Sequence, residues 1–170
     1  MKRNVLLLAV AFTSLLFTSC NDDDDSNASG AVDTSYFRVT VNGTEKNYSN
    51  VQGRWVDGGN FLEITATNTG EEWVTITVMN ETARVPQGTY TLNDSSPFTI
   101  LSIYSIGELN YTATKNTLAA EDAFTLNITD IDNSEVEGTF SGVLVRVNGE
   151  TTLGTATLQN GSFKTTIAPN

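Results

Sequence analysis

The chain has 170 residues, 39% of them hydrophobic and 17% charged, enough for one ordinary domain and hardly two. It contains no histidine and one cysteine, which excludes Ser-His-Asp and Cys-His catalytic pairs, an intramolecular disulfide and zinc sites of the Cys/His type. Against 20 acidic residues stand 9 basic ones, a net charge of −11, so the chain is repelled by nucleic-acid phosphates and anionic lipid headgroups and no nucleic-acid partner is expected.

Residues 1–19 open with Met1-Lys2-Arg3-Asn4, continue with an apolar stretch (VLLLAVAFTSLLF) and end in Thr18 and Ser19 before Cys20. A basic start, a short apolar region and small residues make a secretory signal. The apolar stretch falls short of the roughly 20 residues that a transmembrane helix needs. The pattern resembles the bacterial lipoprotein signal, with Phe17 where leucine is usual. That resemblance implies cleavage before Cys20, a lipid on Cys20 and membrane contact through the lipid. Each buried acyl CH₂ adds about 0.8 kcal/mol, so two or three chains hold a protein stably on a bilayer. An ordinary secretory signal, or a plain anchor with an incidental cysteine, is the alternative.

Asp22, Asp23, Asp24 and Asp25 follow Asn21. Four adjacent carboxylates repel one another and stay solvated. Residues 20–35 therefore read as a flexible acidic tether, extending about 3.3 Å per residue. An acidic run just after a lipidated cysteine also resembles the signal that sends Bacteroidota lipoproteins to the outer face of the outer membrane, which implies a location on the cell exterior.

Residues 36–170 change to a two-residue period, the pattern of strands with one buried face. Phe37, Val39 and Val41 alternate with Arg38 and Thr40, and Asn42-Gly43 is a hairpin turn with residues 44–49 as the returning strand. A short strand is expected at Arg54 to Val56, ended by Asp57-Gly58-Gly59-Asn60. Leu62, Ile64 and Ala66, then Val74, Ile76 and Val78, form the clearest hairpin, with Trp73 on the face opposite the valines. Pro86-Gln87-Gly88 turns into Thr89 to Leu92. Phe98 to Ile106 is apolar on both faces, so cover on both sides, or a loop against one, is expected. Glu108 to Thr114 is the next strand, and residues 116–122 are a helical turn or a loop. Phe124, Leu126 and Ile128 resume the alternation. Glu135 to Val147 is a long strand with Gly138 and Gly142 as bulges or close approaches. Asn148-Gly149 and Asn160-Gly161 mark two tight hairpins, and Phe163, Thr165 and Ile167 close the last strand. The fold class is all-β: an antiparallel meander of roughly ten strands forming a β-sandwich or a flattened, partly closed barrel.

Val41-Asn42-Gly43-Thr44, Gly138-Thr139-Phe140-Ser141-Gly142 and Asn160-Gly161-Ser162-Phe163 resemble the VNGT-like, GTFSG-like and NGSF-like motifs of a family of Bacteroidota surface lipoproteins of unknown function, all-β and about this length. The resemblance runs loosely over residues 36–167 and departs at Glu45-Lys46, where such proteins often carry an aromatic residue. It implies the fold and the location and supplies no catalytic residues.

Three groups of side chains invite chemistry. Asp130, Asp132, Asn133, Ser134 and Glu135 are the densest oxygen cluster; calcium takes six to eight such ligands, but a polar turn bonding its own backbone explains them as well. Glu63, Glu71, Glu72, Glu108, Glu121 and Asp122 contain no pair marked by spacing as the two carboxylates of a glycosidase. Trp55 and Trp73, with Tyr48, Tyr104 and Tyr111, are the aromatic candidates for stacking on a sugar or anchoring a protein partner, and the same rings serve equally as core caps. The expectation is no enzyme, no cofactor and no metal, but a surface module binding a glycan or an envelope protein through Trp73 or Trp55. The alternative is a structural or assembly subunit of an outer-membrane complex.

Overall fold

The computed structural model describes residues 35–68, 71–92, 95–115 and 123–168. Cys20, Asp22 to Asp25 and the segment 116–122, with Glu121 and Asp122, lie outside them. Eleven strands follow in chain order: β1 (Tyr36–Val41), β2 (Thr44–Tyr48), β3 (Asn50–Val56), β4 (Phe61–Thr67), β5 (Glu72–Met79), β6 (Gly88–Thr91), β7 (Thr99–Ile106), β8 (Leu109–Thr114), β9 (Ala123–Ile131), β10 (Glu135–Asn148) and β11 (Thr151–Ala168). A single turn of 3₁₀ helix, Asp57–Gly59, separates β3 from β4. The expected strand at Arg54 to Val56 is longer than its apolar residues suggested. It begins at Asn50 because Asn50, Val51 and Gln52 pair with Thr67, Ala66 and Thr65 of β4.

The strands form one sheet in the order β2-β1-β11-β3-β4-β5-β7-β8-β10-β9-β6, and a further pairing of β10 with β11 closes a ring. Two joints of the ring are thin. Strand β11 meets β3 in parallel at only Ile167↔Gly53 and Ala168↔Arg54, and β10 meets β8 at only Val145↔Thr112. The result is a sandwich closing into a flattened barrel. One layer holds β3-β4-β5-β7-β8, the other β2-β1-β11-β10-β9-β6, and they touch at two corners. The meander is broken at three places: β3 lies beside β11 rather than β2, β6 leaves the layer of β5 and β7 to pair with β9, and β8 is followed across the sheet by β10 rather than β9. The free edges are β2, guarded by Glu45 and Lys46, and β6, only 4 residues long, two ordinary ways to blunt an edge.

The period-two residues fill the space between the layers. Leu62, Ile64, Ala66, Val74, Ile76 and Val78 are fully buried from one side, and Phe37, Leu126, Leu158 and Phe163 from the other. Strand β7 departs from expectation. Ile100 and Tyr104 point inward, but Leu101 and Ile103 are not covered by another layer. They lie half-buried on the outer face, Leu101 between Thr77 and Thr114 and Ile103 between Thr75 and Thr112.

Asn160-Gly161 is not a hairpin, and β11 runs straight through it. Asn160 takes φ 52°, and the register slips on both sides, between Arg38 and Thr40 of β1 and between Phe140 and Gly142 of β10. The pair forms a β-bulge, because both neighbouring strands continue past it and hold the chain extended. Glycine is required there, since a Cβ at Gly161 would lie 2.6 Å from the Phe140 ring. Gly138 and Gly142 sit at register slips as the spacing predicted, and they make room for the rings of Phe163 and Phe124.

Candidate functional site

Trp55 lies on the inward face of β3 near its end, 6% exposed. It lines an open cleft of about 380 Å³ together with Arg84, Val85, Pro86 and Gln87 from the β5–β6 connection, Ile131 at the end of β9, and Asp132 and Asn133 from the β9–β10 turn. That size lies within the range of small-molecule sites. The Arg84 guanidinium stands over the indole, 4.1 Å from the ring centroid, and its Nη1 donates to Asn133 Oδ1 at 2.5 Å. The indole N–H of Trp55 is buried and has no acceptor among the described residues. A buried donor without a partner costs about 1–3 kcal/mol.

The connection that carries Arg84 is built rigidly. The Asn80 side chain, 6% exposed, donates from Nδ2 to the Pro97 carbonyl at 2.9 Å. Its Oδ1 accepts from the backbone N–H of Thr82 at 2.8 Å, the Thr82 hydroxyl at 3.1 Å and the N–H of Ala83 at 2.9 Å. Farther along, the Tyr90 hydroxyl donates to the Pro86 carbonyl, Gln87 Nε2 donates to the Thr129 carbonyl, and Val85 is buried. Sequence reasoning missed Arg84, Gln87 and the role of Asn80. The signal was an asparagine two residues before a threonine at a strand end, the pattern of a side chain that closes a turn on its own backbone.

The Asp130–Glu135 cluster is a turn, not a cage. Asp132 Oδ1 accepts from the backbone N–H of Ser134 at 2.6 Å, its hydroxyl at 2.9 Å and the N–H of Glu135 at 2.8 Å. These bonds, the one from the Ser134 backbone foremost, hold the Asp132 carboxyl below its ordinary range. Glu135 is turned away to Lys164, 2.7 Å distant. Among the described residues no group of three or more acidic or cysteine side chains is placed to share a metal ion. Asp132 and Asn133 line the same cleft as Trp55, so the turn and the tryptophan, 77 positions apart in sequence, meet at one place.

The other candidates separate. Trp73 is half-buried on the outer face of β5, facing Thr67 and Ser105 across the neighbouring strands. Tyr48 and Tyr104 are not surface platforms. They are 5% and 4% exposed, and both donate to Glu72 Oε1, at 3.4 and 2.9 Å. Burial, with the Glu72 carboxylate beside them, raises both phenols above their ordinary range. Tyr111 stacks on Tyr104 at 6.0 Å. Lys46 completes this cluster, 3.2 Å from Glu72. Glu63 is paired with Arg54 at 2.7 Å, and Glu71 and Glu108 are exposed. Among the described residues, Asp132 is the only carboxylate lining the Trp55 cleft.

Compared with protein-family models, curated proteins and solved structures, the chain matches none.

Proposed function

We propose that this protein is a lipid-anchored lipoprotein on the outer face of the outer membrane, and that its all-β domain is a non-catalytic module whose Trp55 cleft binds a glycan. One observation carries the reading of the site. Arg84, Asp132, Asn133 and the indole of Trp55 meet at one small cleft from three separate segments. An aromatic body flanked by fixed donors and acceptors suits a molecule that alternates CH faces with hydroxyls. The charges of Arg84 and Asp132 offset each other, which favours an uncharged sugar. Among the described residues the cleft holds one carboxylate, where a two-carboxylate hydrolysis needs a pair.

Titration calorimetry of the full chain in detergent against soluble oligosaccharides tests the site. Arg84→Ala removes a charge-assisted donor and is expected to weaken binding tenfold or more. Because Arg84 is exposed, the same change should move Tm by no more than a few degrees. Affinity unaltered in Arg84→Ala refutes the cleft as the site. Anchoring is tested separately: Cys20→Ala should shift the protein from the membrane to the soluble fraction, and retention on the membrane would contradict lipidation.

A further inference from the structure

The outward face of β4, β5, β7 and β8 differs from the rest of this acidic molecule. Its outward positions carry a single ionisable group, Glu63, and that carboxylate is taken by Arg54 of β3, with Nη2 at 2.7 Å and Nε at 2.8 Å. The other positions are mostly threonines and apolar side chains set in register. Thr65, Thr75, Ile103 and Thr112 form one row across four strands, and Thr65 and Thr75 touch through their hydroxyls at 3.4 Å. In the adjacent row Trp73 stands between Thr67 and Ser105. Neighbours that small leave the indole as the largest body on the face. Net charge is the chain's main defence against association, so an uncharged sheet face on a chain of −11 is suited to a partner that is itself uncharged.

We propose that this face is a second binding surface, on which a neutral polysaccharide lies flat, with Trp73 under a sugar ring and the threonine hydroxyls beside its hydroxyls. The class of partner follows from the chemistry of the face. A nucleic acid or an acidic polysaccharide would gain no cation here, because Arg54 is already paired. A protein rimmed with charged residues would find no counter-charge. Strands stand about 4.8 Å apart and outward residues about 6.7 Å apart along a strand, so the rows offer hydroxyls at short, regular intervals to a repeating chain. The choice of a glycan rests on the reading of the domain as a glycan-binding module, but the site does not depend on the Trp55 cleft.

The test is co-sedimentation of the full chain in detergent with insoluble cellulose, mannan and starch, and with polygalacturonate as an acidic control. The expected result is binding to at least one neutral polymer and none to polygalacturonate. Trp73→Ala and Thr75→Glu should each weaken that binding tenfold or more, with circular dichroism and Tm close to the parent. Arg84→Ala should leave it intact. Loss with Arg84→Ala but not with Trp73→Ala assigns the polymer to the cleft and overturns this proposal while sparing the cleft. Absence of binding to all three neutral polymers, or binding unaltered in both face variants, overturns it outright. A concentration-dependent dimer abolished by Thr75→Glu also overturns it, by showing that the face is covered by a second copy.

Discussion

Replacing Gly142 with alanine should destabilise the domain by about 3 kcal/mol, the upper part of the range for overpacking, and lower Tm by about 10 °C. A Cβ at this position would lie 2.3 Å from the carbonyl oxygen of Ala123, 2.6 Å from Phe124 Cδ2 and 3.0 Å from Phe124 Cα. Two of the three atoms are backbone, and β9 is tied to β10 from Ala123 to Ile131, so no side-chain rotation relieves the contact. The strands must part where Phe124 and Phe140 stack, their centroids 6.0 Å apart. Gly154 on β11 is the matched control. Its Cβ would meet only Tyr111, at 3.6 Å from Cε1, and alanine also restricts the unfolded chain. Gly154→Ala should therefore be neutral, or stabilise by up to about 1 kcal/mol. Urea unfolding of both variants decides the matter: equal midpoints would mean that the close approach at Gly142 is absent in solution.

The same glycine shows how far the sequence could be read. Its place in a long strand marked a close approach, but nothing local says which ring occupies the space. Alternation found the inward faces of β1, β4, β5 and β9 because each has one wet side. It misread β7, whose Leu101 and Ile103 look like core yet lie half-buried among threonines from two other strands. Asn160-Gly161 was misread for a related reason. The pair favours positive φ, and a bulge uses that conformation as readily as a hairpin does. Only pairing with β1 and β10, formed by residues far away in the chain, decides between the two. The candidate site was half legible. Trp55 and the Asp130–Glu135 turn stood out as types, but their meeting depends on the β3 register and the β9–β10 turn together. Arg84 carried no signal beyond being a basic residue in a loop.

Glu72 should prove the costliest polar residue to remove. Glu72→Ala takes the acceptor from the Tyr48 and Tyr104 hydroxyls, both nearly inaccessible to water. Each buried donor left without a partner costs about 1–3 kcal/mol, so a loss of about 3 kcal/mol is expected. Lys46 adds little, since its ion pair is partly open to solvent. The cluster also sets the alkaline limit of the fold. Burial first, and then the Glu72 carboxylate, keep both phenols protonated in the folded chain beyond the ordinary value of about 10. Below that pH both states hold the protons and the stabilisation is complete. Above it the unfolded chain releases protons that the folded chain retains, and stability falls as pH rises toward the folded values. Each phenol steepens that fall by at most about 1.4 kcal/mol per pH unit. Lys164, raised by its hydrogen bond to Glu135, contributes in the same direction, so the phenols must be isolated by substitution. Tyr48→Phe with Tyr104→Phe should flatten the decline in urea midpoint above pH 10, while Lys164→Gln should leave most of it. An unaltered alkaline slope in the double phenylalanine variant would show that the two hydroxyls are not held by Glu72 between the layers.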